Sequence, residues 1–182
     1  MDGIDSNNIS AIIGVLGTLA GVILGTILNK FDRIGKIKIF QNSLNVKFTE
    51  RGASGAENKT TRITDRTDSL SIELNFDFYN TSALSPKIAR DIKLVFRTKA
   101  KTIKEKLKNE NTRKYSQYTS HADDLLNVNL SPKEILNYNL SYHSRENFQE
   151  ILDAEWFLEY RKNNNKLKRI QIAKQLGKKS TH

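Results

Sequence analysis

Residues 70–79 read LSIELNFDFY. Leu70, Ile72, Leu74, Phe76 and Phe78 fall on one parity, and Ser71, Glu73, Asn75, Asp77 and Tyr79 on the other. Successive side chains of a strand point to opposite faces, so this spacing predicts a strand with one face buried and the other toward water. Such one-sided burial belongs to antiparallel sheets, since parallel sheets are covered on both faces.

Working outward, the same period of two recurs in shorter pieces. Upstream, Ile37 and Ile39, then Leu44, Val46 and Phe48, alternate with polar residues, and the polar 41–43 between them predicts a hairpin turn. Residues 51–67 are polar with two glycines and predict a mobile loop. Downstream, Ile92, Leu94 and Phe96 form a further strand. Residues 99–124 are charged, and Ile103 and Leu107 stand four apart, which suits a short surface helix or a mobile excursion. Leu126, Val128 and Leu130 alternate, as do Leu136, Tyr138, Leu140 and Tyr142; residues 146–152 suit a helical turn. The last hairpin pairs Trp156, Leu158 and Tyr160 with Leu167, Ile170 and Ile172 across 162–165.

About eight short strands, with no long amphipathic helices between them, predict a mainly β fold. The expected form is an antiparallel β-sandwich, immunoglobulin-like or C2-like, with an open barrel second. Its bounds are set at 36–173, after a linker at 29–35 and before a basic flexible tail at 174–182. No motif ties the sequence to a named family.

Residues 9–28 read ISAIIGVLGTLAGVILGTIL, without charge or proline. Twenty residues with only Ser10, Thr18 and Thr26 polar make a helix of about 30 Å, the thickness of a bilayer's hydrocarbon core. A cleavable signal peptide would begin with positive charge, whereas Asp2 and Asp5 precede this run. The expectation is a single transmembrane anchor embedded in the lipid bilayer. Lys30, Arg33, Lys36 and Lys38 follow it, so the positive-inside rule exports residues 1–8 and keeps the sandwich in the cytoplasm of a bacterial cell. Gly14, Gly17, Gly21 and Gly25 recur at steps of three and four, a small-residue stripe that suits helix self-association in lipid.

The 182 residues hold 30 Lys+Arg, 20 Asp+Glu, three His and no Cys. That composition excludes disulfides, thiolate metal sites and a cysteine nucleophile. No phosphate-cradling glycine loop occurs, and His121 beside Asp123 and Asp124 lacks further converging ligands. No enzymatic activity, metal or cofactor is expected.

Charge carries the remaining functional content. Residues 87–114 hold 11 basic and three acidic side chains, and residues 161–179 hold eight basic and none acidic. Lys99, Lys101, Lys104, Lys106 and Lys108, with Lys174, Lys178 and Lys179, are the candidates for an anionic lipid surface. Nucleic acid is a weaker alternative, because Tyr115 and Tyr118 are the only aromatics interleaved with the cations. The functional expectation is a self-associating membrane-anchored module that binds an unidentified protein partner. A pore-forming assembly with the sandwich as sensor is the first alternative, and an outward-facing adhesion domain is another.

Overall fold

The structure, a computed structural model, describes residues 6–52 and 57–174. It begins with α1 (Ser6–Arg33), 28 residues and therefore about 42 Å long. Gly14–Arg33 is long and apolar enough to cross a membrane, and none of it is buried by the other described residues. Within it Thr18 and Thr26 donate their hydroxyls to the carbonyls of Gly14 and Val22, at 2.9 and 2.8 Å. These bonds satisfy the only polar side chains of residues 14–28 inside the helix itself, as a hydrocarbon surrounding demands.

Strands β1 (Ile37–Arg51), β2 (Glu57–Thr60), β3 (Thr67–Asn80), β4 (Lys87–Arg97) and β5 (Thr102–Glu105) follow. Next come β6 (Lys108–Asn109), a 3-10 turn (Glu110–Thr112), β7 (Lys114–Tyr115), β8 (Ser120–His121) and β9 (Asn127–Leu130). Strand β10 (Ile135–Ser144), helix α2 (Phe148–Asp153), β11 (Glu155–Arg161) and β12 (Leu167–Lys174) complete the domain. One sheet has the order β2-β1-β3-β10-β6 and the other β12-β11-β4-β5, with β9 pairing β4 beside β5; β7 and β8 form a separate ribbon. All the pairings are antiparallel.

The two sheets close over one core. Leu70, Ile72, Leu74, Phe76 and Phe78 are all buried, so the alternation along β3 sets the inner face of the first sheet. Ile92, Leu94 and Phe96 from β4 and Trp156 and Leu158 from β11 supply the facing layer. Trp156 packs edge-on to Phe96 at 5.4 Å between ring centroids, and its indole N–H donates to the Ile151 carbonyl at 2.6 Å. A buried indole requires such a partner, and the last turn of α2 supplies it.

Three local expectations are corrected. The hairpin expected at 41–43 is absent, because β1 runs straight through and pairs β3 along its length, with a bulge between Gln41 and Ser43. The sequence shows why: the inward parity is odd at Ile37 and Ile39 but even at Leu44, Val46 and Phe48, and one extra residue restores the phase. The loop expected at 51–67 contains β2, which returns against Phe48–Arg51. The helix or excursion expected at 99–124 is replaced by short strands. Ile103 pairs with Phe96 in one sheet, whereas Leu107 is buried in the core just before the chain crosses to β10 in the other. Their spacing of four reflects that change of sheet, not a helical turn.

Candidate functional site

Helix α1 enters the sandwich through a junction with no slack. Its final carbonyls, which a helix leaves without internal partners, are capped by the β3–β4 loop. The Ser82 hydroxyl and the Ala83 N–H both donate to the Asp32 carbonyl, at 2.9 and 3.1 Å. Lys87 Nζ donates to the Arg33 carbonyl at 3.0 Å. Three residues on, Thr81 Oγ1 accepts from the Lys36 N–H at 2.8 Å and donates to the Lys36 carbonyl at 3.0 Å.

Gly35 sits between these contacts. A Cβ there would lie 2.0 Å from the Ser82 backbone nitrogen, so no other residue fits without moving the loop. The loop is itself fixed from beneath by Asn80, which is fully buried. Its amide donates to the carbonyls of Ser85 and Ser131, both at 2.9 Å, and its carbonyl oxygen accepts from the Ser82 N–H at 2.9 Å. Residues 29–35, expected to be a linker, are thus the last turn of α1 and a bonded joint.

From sequence alone Asn80, Thr81 and Ser82 mark only a loop, and Gly35 is not singled out. A glycine directly between a long apolar run and a strand is the signal that could have drawn attention to that joint.

The glycines expected to mediate self-association lie on a bare helix. A Cβ on Gly14, Gly17, Gly21 or Gly25 would meet nothing within 4 Å. Their groove is open along its length.

The basic candidates are scattered differently from the sequence expectation. Lys99 and Lys101 occupy the β4–β5 turn, at the end of the sandwich away from α1. About 30 Å of strand β4, from Lys87 to Arg97, separates the two ends. Lys174 ends β12 opposite Glu155, again at the far end, and Lys178 and Lys179 lie outside the described residues. The freedom expected for 99–108 is corrected: the lysines from 101 onward are held by carboxylates. Lys101 reaches Glu150 at 3.0 Å, Lys106 and Lys108 share Asp124 at 3.1 and 2.7 Å, and Lys104 meets Glu159 at 2.7 Å.

Glu159 is buried and also accepts from Arg169 at 2.6 Å. Burial opposes its ionisation, but Lys104 and Arg169 outweigh that and hold the carboxyl below its ordinary range. Hydrogen bonds from Lys108 and Lys106 lower Asp124 in the same sense.

The outer face of the first sheet carries a cleft of about 590 Å³ roofed by Arg113 and Tyr115. Some of its polar groups are spent on one another. Asn75 bonds Asn139 at 2.6 Å, and Glu110 is held by both Arg113 and Ser141. Tyr115 and Tyr118 stand in solvent on the β7–β8 ribbon, 81% and 87% exposed. His121 on β8 faces Asp123 at 3.8 Å with both side chains exposed.

An apolar helix joined without slack to two packed antiparallel sheets defines a membrane-associated protein with an immunoglobulin-like sandwich. Residues 35–173 match the family described as the YopI Ig-like domain, and the chain belongs to that family. The match begins at Gly35, within the joint. Among solved structures, a Bordetella pertussis crystal structure described as an ApaA protein is similar at 7% identity, over 78% of this chain and 91% of that one. Its TM-score is 0.33, a likeness that carries no argument about function. No curated protein matches the sequence.

Proposed function

We propose that the chain is a non-enzymatic interaction module held at the cytoplasmic face of a membrane by α1 and self-associating through its glycine stripe. The observation that carries this reading is the joint at Gly35, which leaves no free linker between an uncovered apolar helix and the sandwich. Such a joint transmits the position of the helix to the domain, which suits a module presented at a defined height and orientation. The orientation is supported by Lys30, Arg33, Lys36 and Lys38 on the sandwich side of the span, against Asp2 and Asp5 before it. Self-association is supported by the open groove over Gly14, Gly17, Gly21 and Gly25, where helix backbones can approach closely.

A C-terminal alkaline phosphatase fusion tests the placement and is expected to be inactive, while a fluorescent-protein fusion is bright. An active phosphatase would put the sandwich outside the cell and favour an adhesion role. For the stripe, Gly21→Leu is expected to weaken self-association in a membrane two-hybrid assay, whereas Ile23→Leu leaves it intact. Equal signals from both variants and the natural sequence would remove the glycines from the interface. The protein partner is sought by affinity capture with the full chain in detergent.

A further inference from the structure

We propose that a basic pocket at the base of α1, walled by Lys36, Lys87 and Lys162, binds the phosphate headgroup of an anionic lipid in the membrane that holds the helix. The pocket has a volume of about 450 Å³, with Ile34, Gly35 and Ile37 along one side and the β11–β12 turn along the other. Unlike the lysines of residues 101–108, these cations face no carboxylate. Among the described residues, Lys36, Lys87, Lys162, Lys166 and Lys168 take part in no ion pair.

The turn that brings Lys162 to the pocket is built rather than loose. The Lys162 N–H donates to the Lys166 carbonyl at 3.0 Å, the Asn165 N–H donates to the Lys162 carbonyl at 2.9 Å, and Asn165 holds a left-handed φ of 58°. Asn163 pins the same turn to the neighbouring strand, accepting from the Ile88 N–H at 2.7 Å. Lys87 spends one donor on the Arg33 carbonyl and, with three on its ammonium, keeps two. Burial, and then the charges of Lys168, Lys36 and Lys166, push the Lys162 ammonium below its usual range. A cation crowded by like charges and desolvated is stabilised by an anion among them.

The source of the anion follows from the pocket's surroundings. Ile34 is the first residue beyond α1, and Phe31, Ile34 and Leu84 beside it are 66%, 62% and 53% exposed. Apolar side chains left bare next to an unpaired cationic pocket, at the end of an apolar span, match the boundary between acyl chains and headgroups. A soluble phosphate compound would need the cations but not the apolar rim.

This inference rests on α1 crossing the bilayer, so alkaline extraction of membranes carrying the full chain is run first. The full chain, purified in mild detergent, is then mixed with equal amounts of phosphatidylglycerol and phosphatidylcholine, and bound lipid is measured by native mass spectrometry. Phosphatidylglycerol is expected to predominate, with a loss of about fivefold for each of the pocket lysines neutralised in Lys36→Gln and Lys162→Gln. Lys99→Gln with Lys114→Gln, away from the pocket, is expected to retain the preference.

Retention in membranes without headgroup preference, or an equal loss in the Lys99 and Lys114 variant, overturns the pocket and leaves the anchor standing. Release from membranes by alkali overturns the anchor and the pocket together. Displacement of the lipid by excess inorganic phosphate alone would show a general anion site and overturn the lipid assignment.

Discussion

The two basic regions of this protein look alike in sequence and opposite in structure. Along 101–108 each lysine is neutralised, and Lys104 helps to satisfy a carboxylate buried between strands. At the base of α1 the lysines crowd one another and, among the described residues, form no ion pair, beside a bonded turn and a close-packed joint. The first arrangement is what cations do when they stabilise a fold. The second costs the fold some repulsion and is the arrangement expected of a surface that meets an anion. Net charge per segment, nearly the only measure available from sequence, does not distinguish them.

The largest expected effect tests that contrast directly. Replacing Lys104 and Arg169 together with Met leaves Glu159 buried and uncompensated, which should cost about 3 kcal/mol of stability. Lys162→Gln with Lys166→Gln should change stability by no more than about 0.5 kcal/mol, because no bond to a carboxylate is lost. Denaturant titration of the full chain in detergent measures both. Similar losses from the two pairs would mean that the regions do not differ in the way described.

The joint offers the next test. Gly35→Ala places a methyl 2.0 Å from the Ser82 backbone, and displacing that loop should cost about 2 kcal/mol, in the range of overpacked cores. The expected signature is local: proteolysis at 33–36 accelerates more than cleavage within β5. If Gly35→Ala melts and resists protease like the natural sequence, the helix and sandwich are not coupled as the contacts indicate.

How far the sequence could be read depends on whether a residue's role is periodic. The alternation in β3 and the Trp156 strand stated which faces are buried, so the mainly β sandwich was legible, and the uncharged run at 9–28 made the long apolar helix legible too. The break in parity between Ile39 and Leu44 was equally visible, but a turn and a bulge both produce it. Only the full length of β3 as a partner selects the bulge. Leu107 was illegible for a different reason: it is a single buried residue where the chain changes sheets, with no neighbours of its own period. The joint was harder still. Gly35 meets Ser82 only by tertiary contact across 47 positions, so neither the glycine nor the Asn80–Ser82 turn names the other from sequence.

The smallest expected effect concerns acid. Glu159 and Asp124 are held below their ordinary range by the lysines and arginine around them. Their contribution is therefore present above the unfolded carboxylate values, about 4. It is lost as pH falls through the lower folded values, because the unfolded chain takes up protons first. Stability should decline below about pH 4, with Asp91, Glu110 and Asp77, lowered by hydrogen bonds from Lys93, Arg113 and Asn137, contributing beside Glu159 and Asp124. Glu159→Gln removes one titrating carboxyl and should flatten that slope by up to about 1.4 kcal/mol per pH unit. Lys162→Gln should leave the acid slope unchanged, since a lysine stays protonated throughout that window. The comparison is read by denaturant titration at successive pH values on the full chain. An acid slope identical in Glu159→Gln and the natural sequence would remove this carboxylate as a source of pH dependence, and with it the claim that Lys104 is engaged structurally.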